Sequence, residues 1–183
     1  MGRFEIMTIS LAIDTATSRT IVAVIDEGKV LFESFHEGAM DHGKAITELV
    51  SQALKVCPVP NQVVVGMGPG PFTGLRVGIT FTHTFALARN IPVIGVCSLD
   101  AIAIDQDEYI VAIDARRKEI YWASYKSGRR ISGPAVNKPA EVEGFILDQY
   151  PDMKKLVELS KTQNISEPMY LRRPDAVPTA ERT

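Results

Sequence analysis

Residues 63–96 read VVVGMGPGPFTGLRVGITFTHTFALARNIPVIGV, and the fold of the chain follows from them. Val63-Val64-Val65 is a β-branched run without a breaker, the pattern of a buried strand. Gly66-Met67-Gly68-Pro69-Gly70-Pro71 stops it, because such a density of glycine and proline suits neither helix nor sheet. Thr73 offers an N-cap hydroxyl for a helix reaching Arg89. Ile91-Pro92 closes that helix, and Val93 to Val96 forms a second buried strand. Leu75, Ile79 and Ala86 recur on one side of the helix, whereas Gly74, Gly78, Phe81 and Phe85 recur on another. A helix apolar on two sides needs two packing partners. Each glycine costs a helix interior about 1 kcal/mol relative to alanine. Two of them four residues apart imply the close approach of another helix, either from the same chain or from a partner.

Outward from this stretch, a β-meander precedes it. Ile9 to Asp14, Ile21 to Ile25 and Lys29 to Glu37 read as strands, with turns at Asp14 to Ser18 and Asp26-Glu27-Gly28. A helix from His42 to Cys57 carries the apolar stripe Ile46, Leu49, Val50, Ala53 and Leu54. Downstream, Ser98 is placed to cap a short helix reaching about Ile104. Strands follow over Tyr109 to Asp114, Lys118 to Tyr125 and Arg129 to Val136. Strand, aspartate, turn, strand, turn, strand thus occurs twice, near residue 9 and near residue 109, which suggests duplication of one supersecondary unit. The expected division is a first lobe over residues 1–97 and a shortened second lobe with an extended tail over residues 98–183. Helices are expected over Glu141 to Tyr150 and Asp152 to Leu159, separated by Pro151. Pro168, Pro174 and Pro178 favour an extended tail.

Composition narrows the function. The chain has 183 residues, 45% apolar and 23% charged, with net charge −2 and mean hydropathy +0.04. Such a chain is globular, and its balance lacks the basic excess expected of a protein that grips RNA unaided. Cys57 and Cys97 form no metal or redox spacing and sit among apolar neighbours, the setting of buried free thiols. No stretch reaches the length of a membrane span, and MGRFEIM at residues 1–7 lacks the apolar run of a signal peptide. A reducing cytoplasm is expected.

The chemical candidates are few. Asp14 and Thr15 follow the first strand, and Asp114 ends its counterpart in the second half. An acid and a small turn at the end of a first strand suit phosphate and magnesium when glycine lets the backbone approach. Ala16 and Ala115 occupy those turns instead, so weak or no binding of ATP by the chain alone is expected, with Asp14 bonding turn amides. His36, His42 and His83 are not spaced to share a metal on a helix. No Cys–His or Ser–His–Asp pattern of a protease is present. Arg116, Arg117, Lys118, Arg129 and Arg130 form a basic cluster on the second hairpin, either a solvated face or a contact with RNA, nucleotide or an acidic partner.

Four ordered segments resemble one family. LAIDTAT (residues 11–17), GPGPFTGLRVG (68–78), AIDARRKEIYWASY (112–125) and EPMYLRRPDA (167–176) are similar to segments of the TsaB (YeaZ) family, whose members pair with TsaD to make threonylcarbamoyladenosine in tRNA. The resemblance implies an α/β actin-like ATPase (ASKHA, ribonuclease H-like) fold of two lobes. It implies a non-catalytic partner of TsaD despite the family's older glycoprotease-like label, with tRNA contacted through the complex. ATP and metal are then expected on the partner subunits, TsaD and the ATPase TsaE, and not on this chain. The expected partner surface comprises Ile46, Leu49, Gly74, Gly78, Phe81 and Phe85, closing a four-helix bundle with TsaD or, in its absence, with a second copy. An actin-like ATPase or small-molecule kinase is the competing class, and a stand-alone homodimeric interaction module is a third reading.

Overall fold

The computed structural model describes residues 8–172. Two sheets form in chain order. The first holds β1 (Ile9–Asp14), β2 (Arg19–Asp26), β3 (Lys29–Glu37), β4 (Gln62–Gly66) and β5 (Val93–Val96) in the order β3-β2-β1-β4-β5. β1 pairs antiparallel with β2 and parallel with β4, and β4 pairs parallel with β5. The parallel connections need crossovers, supplied by α1 (His42–Val56) and α2 (Phe72–Arg89). Alternation along the strands divides the core between two faces. Leu11, Ile13, Val22, Val24 and Val63 face the layer of α1 and α2, with Ile46, Leu49, Val50 and Ala53 of α1 opposite. Ala12, Ile21, Ala23, Ile25 and Val64 face the other way.

That second face is covered from the far half of the chain. α3 (Met153–Leu159) lays Met153, Leu156 and Val157 on it. Asp152 caps α3 by accepting from the Lys155 amide at 2.8 Å. The second sheet contains β6 (Glu108–Asp114), β7 (Ile120–Lys126), β8 (Arg129–Asn137) and β9 (Phe145–Ile146), ordered β8-β7-β6-β9. It repeats the meander and the first parallel strand of the other sheet, and stops there. A 3-10 turn at Pro139–Glu141 stands where the first sheet has α1.

Several boundaries differ from the expectations. Residues 141–150 form no α-helix but the end of that 3-10 turn and the two-residue β9, which pairs in parallel with β6. Gly144, at φ +70, breaks any helix there. Pro71, not Thr73, is the N-cap of α2, and no side chain caps it. Ser98 precedes a 3-10 turn at Leu99–Ala101, and its hydroxyl is spent elsewhere. MGRFEIM, Pro174 and Pro178 lie outside the described residues.

Candidate functional site

Four glycines of the opening stretch, Gly66, Gly70, Gly74 and Gly78, share one neighbour, residues 14–16 at the end of β1. A Cβ on Gly66 would lie 1.8 Å from Asp14 Oδ2, and one on Gly70 would lie 2.5 Å from the Ala16 carbonyl oxygen. On α2, a Cβ at Gly74 would come within 2.7 Å of the Thr15 carbonyl oxygen, and one at Gly78 within 2.2 Å of Thr15 Oγ1. Glycine every fourth residue thus makes a trough in which residues 14–16 lie. Thr15 Oγ1 donates to the Gly74 carbonyl at 2.8 Å, and the Ala16 amide donates to Asp14 Oδ1 at 2.9 Å. The other Asp14 oxygen accepts from Ser98 Oγ at 2.6 Å. Asp14 and Ala16 are fully buried. Burial pushes the Asp14 carboxyl up to about 6, with the Ser98 hydroxyl and the Ala16 amide opposing that rise. The turn that could cradle a phosphate is filled by the chain itself.

Four of the six residues expected at the partner surface, Ile46, Leu49, Gly74 and Gly78, are buried. Gly74 and Gly78 are not presented to solvent: they are the close contacts just described. Ile46 and Leu49 point inward from α1 into the core. Phe81 and Phe85 stack with centroids 6.1 Å apart, partly buried on the same core. Ile46, Leu49, Phe81 and Phe85 thus share one core, Gly74 and Gly78 lie against Thr15, and the outward face of α2 consists of other residues. Thr80, His83, Thr84, Leu87 and Ala88 are exposed there, Leu87 at 84%. Between Arg76 and Arg89, α2 carries no Asp, Glu, Lys or Arg.

Asp114 does not mirror Asp14. It is exposed, accepts from the Arg116 amide at 2.7 Å and pairs with the Arg116 guanidinium at 3.4 Å. Arg116, Arg117 and Lys118 hold φ +62, +54 and +63 in succession. Three non-glycine residues in the left-handed region are a costly turn, and such turns concentrate at functional places. Between the lobes this turn borders a cavity of about 490 Å³, with His42, the first turn of α2, Tyr170 and Arg172 on its other sides. His42 is itself buried, its Nδ1 2.8 Å from Thr20 Oγ1, and burial holds its pKa below the ordinary value.

A second polar constellation joins the lobes, and nothing in the sequence pattern announced it. Asp100 accepts from Tyr125 OH at 2.8 Å and from Gln163 Nε2 at 2.7 Å, and Arg130 lies 3.2 Å from it. Arg130 also reaches Cys97 Sγ at 3.3 Å, and the Cys97 amide donates to Gln163 Oε1 at 3.0 Å. Burial, followed by the Asp100 charge, pushes the Cys97 thiol up to about 11, so it is an unreactive core group. Arg130 is thus an exposed residue whose guanidinium is anchored on the buried Asp100. Among the described residues, no group of three or more His, Cys, Asp or Glu is placed to hold a metal ion. No helix among them is long and apolar enough to cross a membrane.

A five-stranded sheet of order 3-2-1-4-5, followed by a second sheet repeating its first strands, defines an α/β protein of the actin-like ATPase type. The comparisons carry this to a family. The model described as "TsaD: tRNA N6-adenosine threonylcarbamoyltransferase" matches residues 36–177. The uncharacterized protein Rv3421c of Mycobacterium tuberculosis is 39% identical over 209 residues, covering 98% of this chain and 99% of its own length. The tRNA threonylcarbamoyladenosine biosynthesis protein TsaB of Escherichia coli is 36% identical over 126 residues, covering 63% of this chain. The YeaZ-like crystal structure from Pseudomonas aeruginosa superposes with TM-score 0.78 at 24% identity, over 91% of this chain and 100% of that one. The chain belongs to the TsaB (YeaZ) family. It spans 54% of the E. coli TsaB and 57% of the Mycobacterium leprae protein ML0378, about half the length of each.

Proposed function

We propose that this chain is a partner subunit in the formation of threonylcarbamoyladenosine in tRNA, working in the cytoplasm and pairing with a TsaD-type protein. The observation that carries this reading is the outward face of α2. It is a long exposed helix surface without a formal charge, and Leu87 stands almost fully in water. Its small side chains at Thr80, Thr84 and Ala88 let a second helix approach closely, and the exposed Leu87 offers an apolar anchor for it. Val56 is also exposed, at the end of α1. The occupant is a helix pair of the same fold in TsaD, the four closing a bundle. A second copy of this chain takes that place when TsaD is absent, and TsaE joins the assembled pair.

The filled turn supports assigning the chemistry to the partner. Asp14 is committed to Ser98 and Ala16, and Thr15 to Gly74, so neither is free to hold a phosphate or a hydrated metal. The same contacts weigh against an ATPase or kinase. The test is to co-express the chain with a TsaD-type protein and measure copurification and tRNA modification, with and without it. Copurification and a requirement for the chain are expected. A TsaD-type protein that modifies tRNA equally well without it would sink the proposal.

A further inference from the structure

The interlobe cavity is lined by three arginines, Arg116, Arg117 and Arg172, and by no carboxylate. Its rim carries Phe72 and Tyr170, 42% and 40% exposed, with ring centroids 4.9 Å apart. The cations are held in place from behind. Asp114 steadies Arg116, while Glu119 and the Ala115 carbonyl steady Arg172. A guanidinium has five donors, and one carboxylate does not exhaust them. Opposite stands the first turn of α2, without an acid and without a capping side chain. Its amides add positive potential to the same space.

We propose that this cavity seats a phosphate and base of single-stranded RNA, the phosphate on Arg116 and Arg117 and the base against Phe72 and Tyr170. Cations combined with exposed rings are how proteins hold unpaired strands. Free nucleoside triphosphate fits less well, because no lining carboxylate stands ready for the magnesium that accompanies it. A smaller cavity of about 240 Å³ shares Thr17, Pro71 and Arg116, so the groove continues beyond one nucleotide. Asp114 and Asp148 border that part, which places the phosphate in the larger one. The net charge of −2 does not oppose this, since the cations are local. The proposal rests on the tRNA reading above, but not on the pairing surface.

Fluorescence anisotropy of a labelled, unstructured single-stranded RNA with the full chain tests it, across a salt series. Binding should weaken as salt rises. Arg116→Gln with Arg117→Gln should lose about tenfold or more in affinity and flatten the salt dependence. Phe72→Ala should weaken binding while leaving the salt slope unchanged, and it decides the matter should the arginine variant fail to fold. AMP should compete only at far higher concentration than RNA. No RNA binding, binding unaffected by these changes, or AMP competing as well as RNA would each overturn the proposal. Copurification with a TsaD-type protein, measured on the same variants, reports the pairing separately and should persist.

Discussion

Asp14 accepts from a turn amide, that of Ala16, as its place in the sequence suggested, and also from the distant Ser98 hydroxyl. Its place after β1 suits a phosphate site, yet its oxygens are consumed by Ser98 and Ala16 inside the core. Its pKa rises from 3.8 to about 6, so the folded chain holds the proton where the unfolded chain has released it. Stability from this group is full below about pH 4 and is lost as the pH climbs to about 6, amounting to about 3 kcal/mol. Asp14→Asn should therefore melt increasingly above the parent between pH 4 and pH 6, with a constant difference beyond. A flat difference across that range in thermal melts would show that Asp14 is ionised throughout. Gly78 makes the complementary case. Gly78→Ala drives a methyl into Thr15 Oγ1 and should cost about 1–3 kcal/mol of stability. Thr15→Ala in the same chain should recover part of that loss, as denaturant melts of the four proteins would show.

The elements themselves were largely legible. β1, β3, α1 and β5 lie where alternation, periodicity and turn residues placed them, because each carries its own local signal. The side of α2 that faces water was not legible. Gly74 and Gly78 read equally well as contacts for a foreign helix or for this chain, and only the fold shows Thr15 lying against them. The Ser98–Asp14 and Asp100–Gln163 bonds were beyond reach too, joining residues 84 and 63 positions apart. Local patterning does not encode such pairs. At this scale the expectation is that Leu87→Asp and Thr84→Arg leave the circular dichroism of the chain intact and abolish copurification with a TsaD-type protein. Both positions are exposed, so a folded variant that still pairs would move the interface off α2.

Across the whole molecule, the segment from Cys97 to Ala101 ties the lobes together through opposite sides. Ser98 binds the first lobe at Asp14, and Asp100 binds the second at Tyr125 and Arg130. The tail fastens to the first lobe, with Ile165 donating to the Gly95 carbonyl and Met169 to the Met67 carbonyl, each at 2.8 Å, and to the second with Arg172 donating to the Ala115 carbonyl at 3.2 Å. Such a joint holds the two lobes against each other through side-chain and backbone bonds. It also separates two neighbouring arginines. Arg130→Glu sets an acid against Asp100 and should cost about 3 kcal/mol or more of stability. Arg129→Glu, on an exposed residue beside it, should fall within about 0.5 kcal/mol of the parent. Equal melting temperatures for the two variants would dismiss the joint.

The placement of α3 has a consequence for how the protein is born. As the chain leaves the ribosome, the first sheet can be complete at Val96, but the face formed by Ala12, Ile21, Ala23, Ile25 and Val64 stays bare until residues 153–157 emerge. For more than fifty residues of synthesis the nascent sheet carries an open apolar surface, an invitation to chaperones and to aggregation. A gene truncated after residue 97 should accordingly yield inclusion bodies, and the released lobe should stay in solution when the segment from Tyr150 to Gln163 is supplied as a peptide.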